Sequence, residues 1–111
     1  MTTGKYRLNP DHTVSPVLDP HEWAEHMAAV DRKVGLTLLP DGKRVSTVFL
    51  GLDHQYGSGP PLLFETMAFS KGGFHDEYME RYTTWDQAVA GHQATVDRYL
   101  DEGYPSVTDE P

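Results

Sequence analysis

Residues 44–85 constrain the fold more than any other part of the chain, reading RVSTVFLGLDHQYGSGPPLLFETMAFSKGGFHDEYMERYTTW. β-Branched and aromatic residues concentrate at 44–50, 62–69 and 77–83, and such side chains suit a pleated, partly buried surface. Between these clusters lie DHQYGSGPP at 53–61 and a second loop at 70–76 that holds Gly72 and Gly73. Glycine and proline at this density mark loops. Strands joined by such connections pair antiparallel with their sequence neighbours.

A further strand precedes this stretch. Val34, Leu36 and Leu38 alternate with Gly35, Thr37 and Leu39, and Pro40-Asp41-Gly42 is a strong turn signal. Two helices flank the strands. Asp19 is suited to cap the first, with Pro20 at its opening position and Glu22 at the third. Trp23, Met27 and Val30 recur at i, i+4, i+7 with Ala24 and Ala28 beside them, forming one apolar stripe. His21, Glu25 and His26 fall off that stripe and are expected in solvent. The second helix starts at Thr83 or Thr84, where Thr84-Trp85-Asp86-Gln87 fits a capping box. Its inward stripe is read as Trp85, Ala88, Val89, His92, Val96, Tyr99 and Leu100, and Gly103 and Pro105 end it.

The expected architecture is an α+β fold in a single two-layer domain. A four-stranded antiparallel meander carries an N-terminal and a C-terminal helix, one or both covering a sheet face. Residues 1–18 form an extended segment with room for a short edge strand or hairpin, 19–103 the domain, and 104–111 a flexible acidic tail. A length of 111 residues fits one domain.

Composition excludes several chemistries. The chain holds no cysteine, so it has no disulfide framework, zinc–thiolate site or thiol nucleophile. A net charge of -8 disfavours direct binding to nucleic acid or to anionic lipid. The opening MTTGKYRLNP lacks a signal peptide's apolar core, so a cytoplasmic location and no membrane association are expected.

Strand parity picks out a polar row. With the 53–61 loop centred near Tyr56 and the 70–76 loop near Gly73, Thr47 lies opposite Glu65 and Glu65 opposite Arg81. All three then share a face with Phe49, Leu63, Met67 and Met79. A carboxylate and a guanidinium among apolar neighbours require pairing. One reading is a cross-strand ion pair that fixes register, with Thr47 hydrogen-bonded to it. The other is an anion site in which Arg81 presents its donors and Glu65 orients it. A one-residue slip in either loop separates these residues onto opposite faces. His92 falls on the inward stripe of the second helix, as a core histidine or as a member of a His/Glu/Arg cluster suited to acid–base work. His54 stands beside Asp53 at the mouth of the Gly/Pro loop, and His75-Asp76 is a weaker counterpart. No zinc-hydrolase spacing, phosphate-binding glycine loop or GxSxG elbow is present, so no metal and no cofactor is expected.

Three blocks carry a resemblance: STVFLGLDH at 46–54, PLLFET at 61–66 with Met67 and Phe69, and RYTTWDQAVAGH at 81–92. They resemble STVFLGL-(D/N)-H, PxLFETMxF and RYxTWxxAxxGH in a group of small proteins encoded by tailed phages, prophages and mobile elements of bacteria, actinobacteria included. The resemblance spans about residues 23–95. The group's usual short Gly-rich link is replaced by SKGGFHDEY at 70–78. The resemblance implies an origin rather than a chemistry: a phage-type accessory protein in a bacterial host cell. Its matching polar and aromatic positions are Ser46, Thr47, His54, Glu65, Arg81, Trp85 and His92.

The expected function is a small non-enzymatic binding protein that engages a host or phage protein through an acidic surface or a central pocket. That pocket would lie between the final helix, the polar row and the 53–61 loop. Three alternatives stand beside it: a binder of a small anionic, nucleotide-like ligand through Arg81, Glu65 and His92; a small hydrolase using His92, Glu65 and His54; and a homodimer formed through an exposed sheet edge.

Overall fold

The computed structural model describes residues 4–71 and 76–103. The described chain opens on two short strands, β1 (Tyr6–Leu8) and β2 (Val14–Pro16), paired antiparallel in a hairpin of their own. Asn9 closes the turn, its side-chain amide donating to Thr13 Oγ1 and Ser15 Oγ. The hairpin docks beside residues 51–53. Tyr6 N–H donates to Gly51 O, and Asp53 N–H donates to Gly4 O, both at 2.9 Å. Tyr6 and Leu8 are thereby carried into the core.

Helix α1 (Pro20–Ala29) begins as the sequence predicts. Asp19 caps it, accepting from His21 N–H at 2.9 Å, and Pro20 opens the first turn. Trp23, Met27 and Val30 are half-buried against the hairpin and the Gly51 turn, and Trp23 Nε1–H is shared between Tyr6 O and Gly51 O at 3.2 Å each. Two details differ from the helical-wheel reading. Ala24 and Ala28 are exposed, and His26, expected in solvent, is half-buried with its Nε2 accepting from Leu8 N–H at 3.1 Å. The hairpin reaches this flank of the helix, which periodicity within the helix does not reveal.

Four strands follow: β3 (Lys33–Leu38), β4 (Arg44–Phe49), β5 (Phe64–Phe69) and β6 (Asp76–Tyr82). They form one antiparallel sheet in sequence order, the expected meander. Helix α2 (Trp85–Gly103) packs across one face. Its N-terminus is a reciprocal capping box: Gln87 N–H donates to Thr84 Oγ1 at 3.1 Å, and the N–H groups of Thr83 and Thr84 donate to Gln87 Oε1 at 3.0 and 3.2 Å.

Alternation along β4 and β5 separates the two faces. Val45, Thr47 and Phe49 with Phe64, Thr66 and Ala68 are buried toward α2. Each large apolar side chain removed from water here contributes about 1.5–3 kcal/mol. Helix α2 answers with Ala88, His92, Thr95 and Val96, all buried, whereas Val89, assigned to that stripe, is exposed.

The register corrects one expectation. Glu65 lies opposite Arg81 as predicted, but Thr47 pairs with Thr66, and Val48 pairs with Glu65. The β4–β5 connection is centred between Tyr56 and Gly57, half a residue beyond the expected position, and the pairing slips by one. Asp53 sets this. Its Oδ1 accepts from both Gln55 N–H at 2.8 Å and Leu62 N–H at 3.0 Å, closing the loop with an even number of residues between Phe49 and Phe64. The polar row inferred from sequence is therefore two features on opposite faces.

Candidate functional site

The first feature is a chain of hydroxyls and an imidazole between the sheet and α2. Thr37, Thr47 and Thr66 stand on adjacent strands with their side chains toward the helix. His92 inserts among them, with Thr37 Oγ1 2.9 Å from its Nε2 and Thr47 Oγ1 2.8 Å from its Nδ1. The chain continues through Thr47 Oγ1 and Thr66 Oγ1, 2.5 Å apart, to Tyr82, whose hydroxyl donates to Thr66 at 3.2 Å. Thr47 and Thr66 are fully buried, and His92 is nine-tenths so. A neutral imidazole supplies one donor and one acceptor nitrogen. With Tyr82 donating to Thr66, each proton finds an acceptor: Thr66 to Thr47, Thr47 to Nδ1, and Nε2–H to Thr37.

Burial pushes the His92 pKa down, so the ring is held neutral. Burial also pushes the Tyr82 phenol up. Next to it, Tyr78 is raised to about 12, chiefly by the hydrogen bond it donates to Glu80 Oε1 at 2.6 Å. Close packing at two glycines makes room for these rings. A Cβ on Gly35 would stand 3.1 Å from three atoms of the His92 ring, and one on Gly91 would overlap the Tyr82 phenol. The His/Glu/Arg cluster is not formed. Glu65 and Arg81 lie on the other face, and both His92 nitrogens are occupied by threonines. An imidazole so held and so shielded offers no open lone pair to a substrate.

The second feature is on the opposite face. Arg81 Nε–H donates to Glu65 Oε2 at 3.0 Å across β5 and β6, with 28% and 13% of their side-chain surfaces exposed. This is the expected cross-strand ion pair, without Thr47. Beside it runs a four-strand row: Leu36 opposite Ser46, Ser46 opposite Met67, and Met67 opposite Met79. Leu38, Arg44 and Phe69 make the next row, with the Arg44 guanidinium 4.6 Å above the Phe69 ring. Leu36, Leu38 and Met79 are exposed.

His54 is half-buried, and its backbone N–H donates to Leu62 O at 3.1 Å. It shares no hydrogen bond or ion pair with His92, Glu65 or Arg81 among the described residues. The loop's working polar group is instead Asp53, which shapes it. His75 lies outside the described residues. Among the described residues no group of three or more His, Asp or Glu side chains is placed to hold a metal ion.

Trp85 belongs to a third place in the fold. Its ring stacks on His12 with centroids 3.7 Å apart and planes 12° apart, and meets Phe64 edge-on at 6.2 Å. Two grooves meet at this stack. One, of 480 Å³, runs between the hairpin and α1 past Arg7, His26, Asp31 and Lys33, and the other, of 310 Å³, passes Asp11, Thr83 and Asp86. The pocket expected from the sequence lies elsewhere, between α2, the polar row and the 53–61 loop. Arg7, His12 and Lys33 carry no periodicity or motif in the sequence, and the hairpin that gathers them is a long-range arrangement.

None of the described helices is long and apolar enough to cross a membrane. Comparison of the chain with protein-family models, with curated proteins and with solved structures returns no match.

Proposed function

We propose that this chain is a small non-enzymatic accessory binding protein of phage or mobile-element type, acting on a host or phage protein in the bacterial cytoplasm. Its working surface is the sheet face that α2 leaves open. One observation supports the reading: Leu36, Met67 and Met79 form an apolar row on β3, β5 and β6, with Ser46 between them on β4, continued by Leu38 and Phe69, with three of these five apolar side chains exposed. Contiguous exposed apolar surface of this kind marks interaction sites. The row is bordered by Arg44 and by the Glu65–Arg81 pair, whose charges offset each other. On a chain of net charge -8, Arg44 gives this border a local positive charge. The fitting partner is a protein surface with an apolar centre and acidic edges.

The test compares Met79→Asp on the open face with Val89→Asp on the exposed side of α2, using cross-linking in host lysate followed by peptide mapping. The expected result is one partner joined through an Asp/Glu-bordered peptide, retained by Val89→Asp and lost by Met79→Asp. Retention by both variants would overturn the reading. So would a wild-type dimer in sedimentation that Met79→Asp converts to monomer, because the face would then belong to a second copy.

A further inference from the structure

The groove between the N-terminal hairpin and α1 has a chemistry unlike the rest of the surface. Its 480 Å³ is within the usual range for small-molecule sites, about 300–1,000 Å³. Two cations, Arg7 and Lys33, line it on a chain of net charge -8. The Arg7 side chain reaches Glu22 only at 3.8 Å, and its Nε is a buried donor with no hydrogen-bond partner among the described residues. Buried polar atoms are almost always satisfied, so the orphaned Nε leaves the guanidinium short of one acceptor, on a side chain that lines the groove.

His26 adds a second donor. Its Nε2 accepts from Leu8 N–H. Burial, and then the Arg7 charge, lower its pKa, so the ring is neutral and its proton sits on Nδ1.

The far end of the groove is aromatic. His12 is exposed, with one ring face on Trp85. Its backbone is in the left-handed region at φ 73°, a conformation that non-glycine residues rarely adopt. The turn secures it: His12 N–H donates to Asn9 O at 2.9 Å, and Asp11 Oδ1 accepts from Thr13 N–H at 3.0 Å. The strained residue thus holds its ring flat against Trp85 at the junction of two grooves. Asp31, whose Oδ1 already accepts from Lys33 N–H, presents its remaining acceptor capacity to the same space.

We infer that this groove binds a nucleoside monophosphate-sized ligand, a planar heteroaromatic ring bearing a phosphate. The phosphate is taken by Arg7 and Lys33, the ring stacks on the His12–Trp85 pair, and a ligand hydroxyl or amine donates to Asp31. Guanidinium–phosphate pairing and stacking on an aromatic platform are each established modes of recognition. The site is separate from the open sheet face, so the two proposals fail independently.

The experiment is an NMR titration of the ¹⁵N-labelled full chain with AMP, adenosine and inorganic phosphate as probes. AMP is expected to shift the Trp85 indole and Leu8 amide resonances to saturation, with adenosine and phosphate each at least about tenfold weaker. Loss of a charge-assisted contact in Arg7→Gln or in Lys33→Gln is expected to weaken AMP about tenfold. Lys33→Gln guards against misfolding, because Lys33 is exposed at the start of β3. The proposal is overturned if none of AMP, GMP, CMP and UMP gives a saturable shift by about 10 mM. Equal affinity for AMP and adenosine, or AMP affinity unchanged in Lys33→Gln, overturns it equally.

Discussion

Thr47 and Thr66 face each other across β4 and β5 with their hydroxyl oxygens 2.5 Å apart, both fully buried, and Thr47 also reaches Nδ1 of His92. Every polar atom here depends on its neighbour, because a buried group that loses its partner keeps its desolvation cost. Thr47→Val keeps the shape, strands Nδ1 of His92 and takes away the acceptor of the Thr66 hydroxyl proton. The expected loss is about 1–3 kcal/mol in urea unfolding. Thr47→Val with Thr66→Val is expected to cost less than the sum of the single variants. A strictly additive pair would argue against a coupled chain.

Gly91 is the second point of dependence. Alanine is the better helix former by about 1 kcal/mol, so an ordinary helical glycine gains from the exchange. Here a Cβ overlaps the Tyr82 phenol beneath α2. Gly91→Ala is expected to lower stability by about 1–3 kcal/mol despite the gain in propensity. A thermal melt against the exposed control Gln93→Ala decides it, and a raised Tm in Gly91→Ala would show that the helix shifts freely.

The Glu65–Arg81 pair has a different signature. Removing one partner strands a carboxylate that is 13% exposed. Arg81→Met is expected to cost about 1–3 kcal/mol, and Glu65→Met with Arg81→Met to recover much of it. Chemical denaturation of the single and double variants measures the difference. If the double variant is the least stable of the three, the pair contributes more than its own desolvation cost.

His92 and His26 both have pKa values lowered by burial, with Arg7 contributing at His26. Between the lowered folded value and the ordinary histidine value of 6.5, the unfolded chain binds more protons than the folded one. The stabilising contribution is therefore fully present above 6.5 and is lost as pH falls below it, toward the folded values. Urea midpoints are expected to fall from about pH 7.5 to about pH 5, and His92→Gln, though less stable overall, to show a shallower decline. An identical slope in His92→Gln would assign the pH dependence elsewhere.

Local chemistry in the sequence determined much of this molecule. Asp19 with Pro20, and Thr84 with Gln87, start the helices because capping needs only residues within one turn. The meander follows from β-branched clusters separated by Gly- and Pro-rich loops, and the Glu65–Arg81 pairing from strand parity, with one register shift between Ala68 and Phe69. The inward position of His92 follows from helical spacing. What the tertiary structure decided is which of these elements meet. Asp53 accepts two backbone N–H groups inside the β4–β5 connection, and the register across that connection is one residue from the expected one. Because side chains alternate with period two, that shift sends Thr47 to the helix side and leaves Glu65 on the open side. The groove is less legible still. Arg7, His12, His26, Lys33 and Trp85 lie on five separate segments, and no periodicity within any one of them encodes the docking of the hairpin that brings them together.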